Sequence, residues 1–141
     1  MNRVLVDAGF LVALFRRNDR QRAAARDYLM AHRHPLATVS AVIVESCLFL
    51  DVRGKSELLQ WVQRGGMAVF EPPVSAYPAI EALILKYADR DLDFTDAALI
   101  WLAFESGLRE VLTADEKDFA VVRLKGGKRF GFAALVVVGD K

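Results

Sequence analysis

The short β-forming runs of this chain are kept apart by helical stretches, and that spacing limits the folds open to it. Arg3 to Val6 is one such run, ended by Asp7. Ala8 to Phe15 then reads as a helix, and a second helix is expected from about Asp19 to His32, closed by Pro35. Leu36 to Val39 is the next strand, after which Ser40 is placed to cap a helix running to about Asp51. A further helix starts at Gly54 and stops at Gly65-Gly66, and Met67 to Phe70 is a strand ended by Pro72-Pro73. Helices from about Ala76 to Ala88 and Phe94 to Ser106 follow, the latter with Gly107 as its C-cap. Glu110 to Thr113 and Leu135 to Val138 complete the set of strands. Strands joined through helices pair in parallel, because parallel neighbours need a crossover longer than a hairpin. The expectation is therefore an α/β fold of three layers, α/β/α, around a central, mostly parallel sheet of four to five short strands. With 141 residues, one domain spanning 1–141 has room for such a core.

Apolar residues make up 54% of the chain, which is rich for a soluble domain and points to a face covered by a second copy, a homodimer. The lone Cys47 rules out a disulfide framework and suits a reducing, cytoplasmic setting. Asp7 interrupts the apolar stretch from Val4 to Phe15, so it makes a poor signal-peptide core. No run reaches the roughly 18 apolar residues needed to cross a membrane. A net charge of +1 announces no polyanionic partner, but the arginines are unevenly spread. Arg16, Arg17, Arg20, Arg22 and Arg26 share their stretch with one acid, Asp19, and Arg123, Lys125, Lys128 and Arg129 form a second basic segment. His32 and His34 read as a solvated helix end, Trp61 and Trp101 as core or dimer contacts, and Gly126-Gly127-Lys128 as a turn.

The acids carry the chemistry. Asp93 is a sound N-cap, with Asp96 in the first turn of the helix it starts. Asp7 can cap the helix at Ala8, and Thr113-Ala114-Asp115-Glu116 has capping-box spacing. Glu45 has no such local explanation. It lies in a helix apolar nearly all round, and the positions three and four away are Ala41, Val42, Leu48 and Phe49, none of them a cation. An ionised buried carboxylate is costly unless paired. Asp7, Glu45, Asp96 and Asp115 each belong to an element whose end can face one sheet edge, where open α/β sheets bind their ligands. Two carboxylates ~4 Å apart repel by roughly 4 kcal/mol at an effective dielectric of 20, so a cluster of four calls for a cation. All-oxygen ligation suits Mg²⁺ or Mn²⁺.

In order and spacing these motifs resemble the PIN-domain family, the fold of VapC-type toxin ribonucleases, over essentially the whole chain. Val4-Leu5-Val6-Asp7-Ala8-Gly9-Phe10 resembles its opening strand, first acid and first helix, and Thr38-Val39-Ser40 through Glu45 resembles the segment with the second acid. Leu92-Asp93-Phe94-Thr95-Asp96-Ala97-Ala98 resembles the third motif, and Thr113-Ala114-Asp115 with Asp118-Phe119 the fourth. Gly9 stands where the family commonly has Ser, Thr or Asn, leaving Ser40 or Thr113 to supply the polar support.

The resemblance implies a metal-dependent endoribonuclease that leaves a 5′-phosphate and a 3′-hydroxyl, the toxin of a toxin–antitoxin pair. Asp7, Asp96, Asp115 and Glu45 would be both its catalytic residues and its Mg²⁺ or Mn²⁺ ligands, supported by Ser40, Asp93 and Thr113. Arg16, Arg17, Lys128 and Arg129 are the candidates for contacting RNA, and a protein antitoxin is the implied inhibitor. The alternative is a non-catalytic PIN-like interaction protein whose acids serve as caps and ion pairs. A phosphotransfer domain with Asp7 as nucleophile fits poorly, since the haloacid-dehalogenase pattern needs a second Asp at position 9.

Overall fold

The computed structural model describes residues 3–113 and 131–134. Five strands form one sheet: β1 Val4–Val6, β2 Leu36–Val39, β3 Ala68–Phe70, β4 Glu110–Leu112 and β5 Gly131–Ala134. Their order is β3-β2-β1-β4-β5, and every neighbouring pair is parallel. The central strand β1 is buried on both faces, so its residues are apolar without alternation. Leu5 sits in register with Ala37 of β2 and Val111 of β4. Chain order runs outward from β1 in one direction through β2 and β3, then crosses to β4. The point of reversal, between β1 and β4, is where open sheets of this kind leave a crevice at their carboxyl ends.

The helices are α1 Ala8–Phe15, α2 Arg22–Ala31, α3 Ser40–Cys47, α4 Val52–Gln63, α5 Tyr77–Lys86 and α6 Phe94–Ser106. Phe10, Leu11, Val42, Leu58, Ile80, Leu99 and Ile100 from these helices meet Leu5, Val6, Val39 and Leu112 of the sheet in one fully buried core. The T-shaped pair of Phe10 and Tyr28, with ring centroids 6.1 Å apart, locks α1 to α2. Trp61 and Trp101 pack, partly buried, against this core.

Helix α1 begins, and α6 begins and ends, where the caps in the sequence place them. Asp7 and Asp93 are their N-caps, and Gly107, at φ 74°, closes α6 in the left-handed conformation that a glycine adopts without steric cost. Elsewhere local competition shifts the boundaries. The Asp19 side chain accepts from the Gln21 amide at 2.8 Å, which holds a turn there and delays α2 to Arg22. Ser40 is already the first residue of α3, and Val39 is its N-cap with no side-chain bond. That helix stops at Cys47 because Asp51, expected at its end, caps the following one by accepting from the Gly54 amide at 2.8 Å. Gly54 is thus inside α4, where a Cβ would lie 2.9 Å from the Phe15 carbonyl oxygen. The glycine lets the ends of α1 and α4 press together. The strand expected over residues 135–138 lies outside the described residues, and β5 was not anticipated.

Candidate active site

Asp7 leaves the carboxyl end of β1 in extended conformation and turns the chain into α1. Both its carboxylate oxygens are engaged. Oδ1 accepts from the Ala8 amide at 2.8 Å, and Oδ2 accepts from the Thr113 hydroxyl at 2.9 Å. The Asp7 amide donates to the Leu112 carbonyl at 2.9 Å, and the Thr38 hydroxyl donates to the Val6 carbonyl at 2.7 Å. The aspartate is therefore pinned between β1, β2 and β4 at the point where the sheet order reverses, and it is buried.

Glu45 stands in the second turn of α3. The residue as a whole is partly buried, yet its Oε1 is sealed from solvent and has no hydrogen-bond partner among the described residues. Its carboxyl is held above the ordinary carboxylate range, first by burial, then by the negative charges of Asp7 and Asp93. The neighbouring Ser46 hydroxyl bonds back to the Val42 carbonyl at 2.7 Å, a contact internal to α3.

At the start of α6, Asp93 Oδ1 accepts from the Asp96 amide at 2.8 Å, an ordinary N-cap. Asp96 follows in the first turn, half-buried. An open cleft of about 490 Å³ separates α3 from this helix start, lined by Ala41, Val44, Glu45, Leu48, Asp93 and Thr95 among others. Asp7 and Asp93 are thus each close enough to Glu45 for their charges to act on its carboxyl. Among the described residues, however, no three His, Cys, Asp or Glu side chains form a group that could hold a metal ion. Coulombic repulsion reaches further than a coordination bond.

A family model for the PIN domain matches residues 4–125. The chain belongs to the PIN-domain family. In three dimensions it is similar to the crystal structure of Mycobacterium tuberculosis VapC20, a sarcin–ricin loop cleaving toxin, with a TM-score of 0.74 at 16% sequence identity. The superposition covers 81% of this chain and 91% of that one. No curated protein matches the chain by sequence.

Within this PIN fold the other candidate residues fall in three places. Thr113 contacts Asp7 directly. Ser40 instead donates its hydroxyl to Glu71. Arg16 and Arg17 are exposed at the far end of α1, whose eight residues rise about 12 Å away from Asp7. Asp115, Lys128 and Arg129 lie outside the described residues. His32 stacks on Tyr28 with ring centroids 4.2 Å apart, and both His32 and His34 are exposed, which suits a helix end in water. Sequence reasoning passed over two contributors, Thr38 and Thr95. A threonine in a β-run or a helix start carries no distinguishing signal, so only the fold reveals them. Among the described residues no helix is long and apolar enough to cross a membrane.

Proposed function

We propose that this PIN domain is a metal-dependent endoribonuclease that cleaves RNA phosphodiesters as the toxin of a toxin–antitoxin pair. The observation that carries the reading is the sealed Oε1 of Glu45, lacking a partner and facing the fields of Asp7 and Asp93. A buried carboxylate oxygen with no donor, set beside two further acids, fits a hard, oxygen-seeking cation, Mg²⁺ or Mn²⁺. Asp7, Glu45, Asp96 and Asp115 are the residues that would hold it. When bound, such an ion supplies Lewis acidity for in-line displacement at phosphorus by water.

The protein's own part is positioning. The Ala8 amide and the Thr113 hydroxyl fix the plane of the Asp7 carboxylate. The Asp93 cap holds the helical turn that carries Asp96. Arg16, Arg17, Lys128 and Arg129 would meet backbone phosphates, which set the register of an RNA strand without reading its sequence. Likeness to a toxin that cleaves the sarcin–ricin loop supports RNA as the substrate class. Replacing Asp96 with Asn should abolish Mn²⁺-dependent cleavage of an RNA oligonucleotide while the thermal transition is kept. Undiminished cleavage by that variant would remove Asp96 from the site.

The proposed setting is the cytoplasm, with a protein antitoxin as inhibitor. A short reading frame for a DNA-binding protein beside this gene would support the pairing, and a gene standing alone would weaken it. A homodimer is proposed on the apolar surface around the cleft, where Leu48 is 77% and Val52 81% exposed, with Val44 and Phe49 beside them. Light scattering should find a dimer that Leu48→Glu turns into a monomer, and a monomeric parent protein removes this assignment.

One observation favours a non-catalytic PIN-like interaction protein: Asp7 and Asp93 both already serve as helix caps. Calorimetry with Mn²⁺ separates the two readings, because caps alone give no saturable heat.

A further inference from the structure

A second polar recess lies at the opposite end of α1 from Asp7, where α1, α2 and α4 converge. Its volume is about 80 Å³, and three arginines line it, Arg17, Arg22 and Arg53, together with Asp51 and Glu57. Pockets for whole small molecules run to several hundred Å³, so the guest here is the size of an ion or a phosphate group, not a base. The tight junction at Gly54 closes one wall.

The polar groups do not balance. Asp51 Oδ1 accepts from the Gly54 amide, and Glu57 Oε2 takes the Arg53 Nε at 3.4 Å. Arg22 Nη1 donates to the Arg17 carbonyl at 3.3 Å. Its Nε is buried and has no acceptor among the described residues. A charged donor sealed from water is costly to leave unmatched, and the lining sets three arginines against Asp51 and Glu57, each of which already takes one N–H donor. With three cations against two acids, the recess is short of negative charge, the opposite of the acid cleft.

An oxyanion answers that shortage. Guanidinium forks match the oxygens of a phosphate better than any other side chain does. The same segment carries Arg16, Arg20 and Arg26, with Asp19 as its only acid. Such a strip suits a polyanion with regularly repeated phosphates better than an isolated carboxylate on a protein. α1 sets the recess about 12 Å from Asp7, within a few nucleotides of a strand lying across the sheet edge.

We propose that Arg17, Arg22 and Arg53 form an oxyanion recess holding a backbone phosphate of the RNA a few nucleotides from the cleaved bond, a placement that rests on the ribonuclease reading. Two measurements on the full chain test it. In NMR spectra, inorganic phosphate should shift the Arg22 Nε–H and Gly54 amide signals saturably, and Arg53→Gln should weaken that response. In EDTA, a labelled single-stranded RNA should bind Arg17→Gln/Arg53→Gln roughly tenfold more weakly than the parent protein, with a salt slope lower by about one to two. Arg53 is 69% exposed, so that variant does not threaten the fold. Cleavage of the same RNA with Mn²⁺ by the parent protein reports on the ribonuclease reading separately. If the parent cleaves RNA but the double variant binds it with unchanged affinity and slope, the recess is overturned and the ribonuclease stands. If phosphate leaves both signals in place, the recess holds only water and the proposal is wrong. If phosphate moves them but the parent neither binds nor cleaves RNA, the ribonuclease reading fails and the RNA placement with it.

Discussion

Asp7 and Glu45 are carboxylates on adjoining elements of one sheet edge, and they are treated in opposite ways. Asp7 is buried with both oxygens engaged, one by the amide that starts α1 and one by the Thr113 hydroxyl. Glu45 is less buried, yet its sealed oxygen has no partner among the described residues and its carboxyl resists ionisation. Burial alone therefore does not measure the strain on an acid. What counts is whether donors travel with it into the interior. Asp7 belongs to the scaffold as much as to the site, whereas Glu45 is tolerated by the scaffold and has its use elsewhere.

The largest separation between the two should come from truncating Asp7. Asp7→Ala removes a helix cap, for about 1–2 kcal/mol, and leaves Thr113 without its acceptor. Calorimetry should show a transition several degrees lower, together with loss of RNA cleavage. A transition at the parent temperature would mean that the cap contributes nothing to stability.

Next in size is Thr113→Val, which keeps the shape of the side chain and deletes one bond to a buried carboxylate. It should cost ~1–2 kcal/mol in urea unfolding and reduce cleavage partially. If cleavage falls as far as in Asp7→Ala, the hydroxyl does more than orient its neighbour.

The smallest effect has the opposite sign. Because the Glu45 carboxyl is raised above its ordinary value of 4.5, ionising it costs the folded state and not the unfolded one. That penalty is absent below the ordinary carboxylate range and grows as pH rises through the raised value. Glu45→Gln should therefore raise the melting temperature of the metal-free protein slightly at neutral pH, and the gain should vanish on acidification to below pH 4.5. It should also lose any stabilisation by Mn²⁺. A variant less stable than its parent at neutral pH would show that Glu45 has a protein partner after all.

These contrasts also show how far the sequence could be read. Elements written by local rules, β1, α1 and α6 among them, lie where the caps and the glycine stop place them, and the parallel sheet followed from their alternation. The odd position of Glu45 was visible as the absence of a cation three or four residues away. What the sequence hid was every pairing between distant segments. Nothing near Ser40 indicates that its hydroxyl turns to Glu71, and Thr113 was named as polar support only through the family resemblance, without its pairing to Asp7. Arg22 and Arg53 share a recess although a whole strand and helix separate them in the chain. Asp51 could end one helix or start the next, and its bond from the Gly54 amide assigns it to the second.

The central place of β1 has a further consequence, for timing. This strand is made first, yet one of its edges is completed only when β4 arrives, with Thr113 just behind it. A chain emerging from the ribosome thus carries Asp7 through the synthesis of β2, β3 and the helices between them and β4 before the residue that steadies it exists. Parallel strands so far apart in sequence pair late and slowly. If this protein cuts RNA, the order of its strands delays the assembly of its cutting edge until β4 and Thr113 have followed β1, β2 and β3 out of the ribosome.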